Sequence, residues 1–575
     1  MRNWLGIIVI VLAGIALAVL GTTPPAPKPA NAPDTAFSAS RAMTDVRRIA
    51  SAPHPTGSLQ NQQVRAYLVE RLRALGLEVR TVEAPLAQAP AERMKRWSKG
   101  QLAPTKLVNV IGVLPGQDPT LPAVALMAHH DSVWGSPGAA DDTAGVATIL
   151  ETLRAIKASG PQQRDLVVII TDAEELGLNG ARHFFAEDPL RQHIGAVINM
   201  EARGGGGMTT LFQTSRQNGE AVRRFVQAAS DPAGSSLAAY IYSVLPNDTD
   251  LTETLKGNAV GYNFAFIGRP GLYHSPLITP ERLDQGSLQG MGSQVLDLSR
   301  NLLRGEPLPP PSPNVVFFDL FGLIMITYPV WIGWLMIAGI TASLGLVLRR
   351  DSNAKALAGG MVRMFALMLG AGLLLTVLNK VSGAGAGSNY YDRLAAIPLL
   401  EVMAMFTCAS AFVLVLGGGL AGAARKAGAV LLLALISLAA QIVAPAAAYF
   451  IVLPTLLSAL AIAATTASSS AAAKAFASIS AALVLGYMLA LGHQIMQGVG
   501  PTMPFVAALP LAIAALALVL VWPGMKSGKT RPAALALLGL GLATALWIRL
   551  DPMADTVAVY SLNNELPPVT ANKVH

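Results

Sequence analysis

Cysteine and charge are the two scarcities of this chain. One cysteine, Cys408, occurs in 575 residues and lies inside an apolar run. No disulfide can form within the chain, and the N-terminal half can build neither a thiolate metal site nor a cysteine nucleophile. Charged residues make up 13% of the sequence, against about 25% in an ordinary soluble domain. The shortfall is uneven. Residues 35–305 mix both charges with helix and strand patterns, whereas residues 315–548 are almost continuously apolar. A chain of this length exceeds one compact core, so at least two domains are expected. The net charge is +8, but many Lys and Arg sit in short loops between apolar segments. Without a basic stripe or stacking motif, that distribution excludes nucleic-acid binding and fits a membrane protein.

Residues 4–21, WLGIIVIVLAGIALAVLG, come after a lone Arg2 and are about long enough to span a bilayer. Residues 1–21 read as a signal anchor or a signal peptide, and either would export the domain C-terminal to it. Residues 22–36, rich in Pro and Ala, and residues 304–314, RGEPLPPPSPN, read as linkers bracketing a domain at 37–303. Eight apolar segments come next, at 321–348, 357–379, 394–416, 428–447, 449–466, 476–497, 503–522 and 532–548. They predict an all-α, multi-span membrane domain over 315–548. With a cytoplasmic N-terminus, nine cations fall in inner loops and two, Lys380 and Arg393, in outer ones, which supports that orientation. The exported side then holds the 37–303 domain and the tail, 549–575.

That domain reads as α/β. Val64, Tyr67, Leu68, Leu72 and Leu75 repeat at helical spacing, and β-rich runs occur at 107–113, 123–129, 166–171 and 195–200, with a helix from Asp142 to Ile156. Alternating strands and helices predict a mainly parallel mixed sheet with helices on both faces. Functional groups are then expected at the carboxyl ends of strands.

Polar groups collect at those ends. VALMAHHDS finishes with His129, His130 and Asp131; PGAADDTAG carries Asp141 and Asp142; LVVIITDAEELG ends in Glu174 and Glu175; GAVINMEARG ends in Glu201; and GLYHSP supplies His274. Zinc takes imidazole nitrogen and carboxylate oxygen. A pair of zinc ions needs one bridging carboxylate with terminal ligands on each side, and a further carboxylate to move a proton from water to the leaving amine. Any one of these motifs alone reads as a surface pair, a helix start or an N-cap; five in order do not.

The set AHHDS, PGAADDTAG, DAEELG, NMEARG and YHS resembles the zinc aminopeptidase family that includes aminopeptidase Y and glutamate carboxypeptidase. PHPTGS at 53–58 and LPNDTDL at 245–251 are similar to its membrane-bound branch, that of endoplasmic reticulum metallopeptidase. The resemblance covers about residues 40–305. It implies a zinc exopeptidase fold and two zinc ions per chain. His129 and Glu201 would bind the first ion, Glu175 and His274 the second, with Asp141 bridging and a cis peptide before Asp142. Glu174 would be the general base and acid, and Asp131 would orient His129. Glu201 stands where many relatives have Asp. His130 replaces an aromatic residue and, next to a ligand on a strand, points the other way. After His274 the chain reads SPLITPE where the family has Thr and then Asp, so this histidine's loop is supported differently.

The resemblance implies removal of N-terminal residues from exported or external peptides. Rivals are a carboxypeptidase or dipeptidase on the same scaffold, or a non-catalytic receptor or complex subunit. The catalytic side would be periplasmic in a bacterium, and the lumen of the endoplasmic reticulum or vacuole in a eukaryote. Asp248 and Asp250 fit either a substrate pocket or a turn, and Arg203 either an internal ion pair or a substrate carboxylate. Glu401, Gln441, His493 and Gln494 are polar groups at apolar depth, where ionisable residues are functional candidates. Nothing in the sequence specifies an oligomeric state.

Overall fold

The computed structural model describes residues 2–245, 247–385 and 388–551. Among these, one compact unit holds residues 23–319 and 389–395, and the other holds residues 2–22, most of 320–388, and 396–551.

The first unit is built on seven strands: β1 (Glu78–Pro85), β2 (Lys106–Leu114), β3 (Ala123–His129), β4 (Leu166–Thr171), β5 (Ile194–Ala202), β6 (Thr210–Thr214) and β7 (Val260–Phe266). Their order is β1-β2-β4-β3-β5-β7-β6. The inner four, β4, β3, β5 and β7, run parallel; β2 and β6 run against them, and β1 pairs antiparallel with β2. The mainly parallel mixed sheet expected from the sequence is therefore present. Every residue of β3 and β4 is buried, because helices cover both faces and leave no solvent side to alternate with. β1, β6 and β7 escape the sequence pattern. β1 is a half-exposed edge with charges along it, and β7 carries Gly261 and Asn263 inside its run. The helix expected from Asp142 spans Thr143–Ala158, with the Asp142 carboxylate accepting the Gly145 N–H at 3.1 Å as an N-cap. Helix Gln285–Leu302 packs its Gly292 directly on the Phe37 ring, where a Cβ would lie 2.1 Å from a ring carbon.

Two boundaries need correction. The 22–36 stretch is no free linker. Lys28 N–H donates to Gln289 Oε1 at 2.9 Å, and Arg41 Nη1 donates to the carbonyls of Ala30 and Ala32 at 2.8 Å. The 304–314 stretch is also tied down, with Ser312 N–H donating to the Gln217 carbonyl and Asn218 N–H to Asn314 Oδ1. Both satisfy their backbone on the domain surface, which composition alone does not reveal.

In the second unit, eight described helices are long and apolar enough to cross a membrane: Trp4–Thr22, Ile332–Arg350, Ala354–Val381, Ile397–Leu416, Ala423–Val443, Tyr449–Ala467, Ala471–Val499 and Gly528–Leu550. The segment expected at 503–522 is shorter. Pro501 and Pro504 delay its start and Pro523 comes after it, leaving a helix of 12 residues, Ala508–Val519. At 1.5 Å per residue it covers about 18 Å, less than the roughly 30 Å hydrocarbon core. The segment expected at 321–348 begins as helix only at Ile332, because β8 (Val315–Leu320) and β9 (Ile324–Pro329) precede it. Phe321 and Gly322 between them both hold positive φ, 57° and 68°, as a tight hairpin turn requires. On helix Ala354–Val381, Val362, Phe365, Leu369, Leu373 and Val377 form an exposed apolar stripe suited to lipid rather than water. Gly360 and Gly428 let that helix meet Ala423–Val443 closely: a Cβ on either would lie 1.9 Å from a backbone carbonyl of the other helix. Most of the 549–575 tail, residues 552–575, lies outside the described residues.

Candidate metal centre

The carboxyl ends of β3, β4 and β5 converge because the strand order reverses about β3, the place where open α/β sheets form clefts. β3 delivers His129 at its last residue. The turn after β4 delivers Glu174 and Glu175, and β5 delivers Glu201 at its penultimate residue. Asp141 comes from the loop before helix Thr143–Ala158, joined to Asp142 by a cis peptide. His274 comes from the loop after β7.

Asp141 is the hinge of the arrangement. Its Oδ1 lies 3.0 Å from His129 Nε2 and its Oδ2 lies 3.2 Å from His274 Nε2. His129 Nε2 is 3.9 Å from Glu201 Oε2, and His274 Nε2 is 3.2 Å from Glu175 Oε2. Two groups able to hold a cation result, His129–Asp141–Glu201 and Asp141–Glu175–His274, with Asp141 in both. Zinc–ligand bonds of 2.0–2.2 Å in a tetrahedron place donors about 3.4 Å apart, which matches these separations. Glu175 Oε1 is buried with no hydrogen-bond partner among the described residues, a lone pair that a cation would satisfy. The donor set therefore fits a pair of zinc ions.

The electrostatics agree. Burial opposes charge on His129, but bonds to Asp131 and Asp141 and the charge of Glu174 outweigh it and raise its pKa well above the usual imidazole value. Burial likewise opposes charge on His274, yet Glu175 and Asp141 raise it to about 9. Burial raises Glu174 well above the ordinary carboxylate range, with Glu201, Glu175 and Asp250 adding to it. Burial raises Glu201 in the same direction, with Asp142 and Asp141 adding to it. The charge of His129 opposes these shifts, but burial and the neighbouring acids outweigh it, so the carboxylates tend to take up protons.

Asp131 meets His129 and also braces the turn after β4. His129 Nδ1 lies 2.9 Å from the Asp131 carbonyl and 3.5 Å from its carboxylate. That carboxylate also accepts the N–H groups of Glu174 and Glu175, at 3.1 and 3.3 Å, and the Thr56 hydroxyl at 3.3 Å. The backbone carbonyl and the carboxylate both face His129 Nδ1, and the carboxylate also fixes the Glu-Glu turn. Thr56 also donates to Asp172 at 3.0 Å, which gives the PHPTGS segment a structural part. Asp142 accepts the His129 N–H at 3.2 Å. His130 faces away, with Nδ1 3.2 Å from Asn61 Nδ2 and Nε2 3.1 Å from the Val108 carbonyl. Ala173 and His274 hold left-handed backbone, φ 59° and 52°, costing about 1–2 kcal/mol each for a residue with a Cβ.

The remaining candidates divide. Asp250 is buried beside the centre, bonded to the Thr171 hydroxyl, and burial lifts its pKa to about 6. Asp248 accepts the Thr252 hydroxyl at 3.2 Å in a turn. Arg203 is half-buried, its guanidinium 5.9 Å from the Tyr273 ring and 5.8 Å from the Tyr390 ring, and it donates to the Tyr390 hydroxyl. Among the second unit's groups, Gln441 donates to the Val330 carbonyl, while Glu401 accepts from Gln497 and lies 3.0 Å from His493 Nδ1.

Three contributors carried no motif. Asn199 Nδ2 lies 3.4 Å from Glu201 Oε1. The Tyr242 phenol is pushed above its usual range by burial and then by the Glu201 charge, with Glu174 also near. Tyr391 places its hydroxyl 3.0 Å from His274 Nδ1. The signal for Tyr391 was present as NYYDR, a ring-rich polar run in a short loop between apolar segments.

Residues 109–299 match the family described as Peptidase family M28. Among curated proteins, the chain is 31% identical over 324 residues to endoplasmic reticulum metallopeptidase 1 of Mus musculus, covering 53% of this chain and 36% of that protein. It is 30% identical over 271 residues to the vacuolar membrane protease of Schizosaccharomyces pombe, covering 46% of this chain and 31% of that one. The chain thus spans about a third of the length of these relatives. A zinc aminopeptidase from Bacillus subtilis, BSAP, aligns in structure over 49% of this chain and 99% of its own, with TM-score 0.38 and 14% identity. Residues 109–299 are a peptidase family M28 domain.

Proposed function

We propose that the chain is a membrane-anchored, two-zinc exopeptidase that removes N-terminal residues from exported or external peptides. The observation that carries this reading is Asp141, whose two oxygens serve two cation-binding groups while Glu174 stands beside both. Bound there, zinc supplies Lewis-acid polarisation of the scissile carbonyl and acidifies the attacking water. Glu174, 3.9 Å from His129 Nε2, takes the proton of that water and returns it to the leaving amine nitrogen. Tyr242, its hydroxyl buried beside Glu201 and Glu174, donates a hydrogen bond to the carbonyl oxygen as charge develops on it. The acid-rich surroundings of Glu174, Glu201 and Asp250 favour a free ammonium group on the substrate over a carboxylate. Arg203, set against two tyrosine rings, is occupied in holding structure.

The apolar helices anchor the domain, and in the loops before residue 500 Arg349, Arg350, Lys355, Arg425, Lys426 and Lys474 on one side, against Lys380 and Arg393 on the other, support a catalytic domain on the non-cytoplasmic side. The names of the relatives, a metallopeptidase of the endoplasmic reticulum and a protease of the vacuolar membrane, are in keeping with that side. The test is zinc content together with hydrolysis of peptides with free or blocked ends, using the full chain in detergent. Two zinc ions per chain, and cleavage that disappears on acetylating the amino end, are expected. Loss of cleavage on amidating the carboxyl end instead would make it a carboxypeptidase. A chain with neither zinc nor hydrolysis would act as a non-catalytic subunit or receptor.

A further inference from the structure

We infer that Tyr391, carried on the loop between helices Ala354–Val381 and Ile397–Leu416, is a positioning residue for His274 in the metal centre. The inference rests on the metallopeptidase reading above and concerns a segment far outside the M28 match. Residues 389–395 lie in sequence between two apolar helices yet belong to the same compact unit as residues 23–319.

The chemistry comes from the two nitrogens of His274. Nε2 faces Asp141 and Glu175 at 3.2 Å each, so it must be the unprotonated donor when a cation is held. The ring proton then sits on Nδ1, which donates to the Tyr391 oxygen 3.0 Å away. A metal-bound imidazole whose other nitrogen is hydrogen-bonded has its tautomer and ring orientation set. His129 obtains the same service from the Asp131 carbonyl, within its own motif. His274 has a greater need of it, because its backbone is left-handed and the residues after it, SPLITPE, depart from the related pattern.

The segment is held firmly enough to serve. Tyr391 and Leu394 are fully buried. Tyr273 stacks on His274 with ring centroids 3.7 Å apart and lies 6.2 Å from the Tyr391 ring. Arg203, two residues beyond Glu201, donates to the neighbouring Tyr390 hydroxyl. Gly271 allows close approach: a Cβ there would lie 2.8 Å from Ala395 Cα. The short segment therefore touches the ligand-bearing stretches of both cation groups. A segment that lies in sequence between two apolar helices thus contributes a residue to the centre.

The test compares the full chain with Tyr391→Phe in detergent, titrating zinc against a buffered chelator. The ring is kept and only the oxygen is lost, so the melting temperature should stay near wild type. One of the two zinc equivalents should weaken by about 10- to 100-fold while the other holds, and kcat at limiting zinc should fall with it. Wild-type affinity for both equivalents overturns the inference while leaving the peptidase reading intact. A wild-type chain that binds no zinc overturns the reading itself. If Tyr391→Phe does not fold, 15N-histidine labelling of the zinc-loaded wild-type chain decides. A His274 Nδ1 proton exchanging slowly with solvent supports the bond, and exchange as fast as an exposed imidazole overturns it.

Discussion

Glu174 places its carboxylate 3.9 Å from His129 Nε2, adjacent to the ligand but beyond hydrogen-bonding distance, so it flanks the cation groups without completing either. Replacing it with Gln removes the proton acceptor and keeps the shape. Glu174→Gln should lower kcat by about 10²- to 10⁴-fold while zinc content, measured by atomic emission, stays at the wild-type value. Near-normal turnover would remove Glu174 from the mechanism.

Tyr242→Phe removes one hydroxyl and leaves the ring against Phe212, 4.8 Å between centroids. The loss should fall on kcat rather than KM, by about 10²-fold. An increase in KM at constant kcat would instead make Tyr242 a substrate contact.

Metal uptake should be coupled to protons. Without a cation, His274 titrates at about 9 and His129 well above its usual value. Both are therefore protonated at pH 7 and must lose that proton on binding. Zinc binding should release protons, and zinc affinity should rise with pH. Calorimetry in buffers of differing ionisation enthalpy reads this directly; heats independent of the buffer would contradict it.

The metal-free chain should show the opposite slope in stability. Between pH 6.5 and 9 the folded state holds a proton on the raised His274 that the unfolded chain has released, and the raised His129 acts in the same direction. The stabilisation is complete below the unfolded value of about 6.5 and is lost as pH rises through about 9. The raised Glu174 and Glu201 act in the same direction. The melting temperature of the chelator-treated protein should fall across this range, and saturating zinc should reverse or flatten the trend.

Gly428→Leu should separate the helix pair Ala354–Val381 and Ala423–Val443, because the added side chain meets the Leu357 carbonyl at contact distances no Cβ adopts. Close approach through small residues is how membrane helices gain their packing. The detergent-solubilised variant should unfold at lower temperature, while an equally large substitution at Gly345, which faces open space, should not.

Parts of the fold and of the centre were legible along the chain. β3 and β4 are runs of buried apolar residues bounded by polar ends, so their limits and the groups at their carboxyl termini can be read from local pattern. His129, Asp141, Glu174, Glu175 and Glu201 could be named for the same reason, each sitting where a strand or loop ends in polar residues. The edge strands β1 and β6 were not legible, since half-exposed edges lack a clean alternation. Nor was the role of the Asp131 carboxylate, which depends on where the turn after β4 folds back.

Sequence by itself determined the donor types, the two solvents of the two halves and the carboxyl-end location of the acids, all properties of residues near one another in the chain. Only the tertiary structure decided that Asp141 faces both histidines, that residues 22–36 pack down, and that Tyr391 meets His274 across 117 positions. Such contacts join segments whose local patterns are independent. No periodicity within either segment encodes the meeting; it arises from how the sheet, its loops and residues 389–395 close on one another.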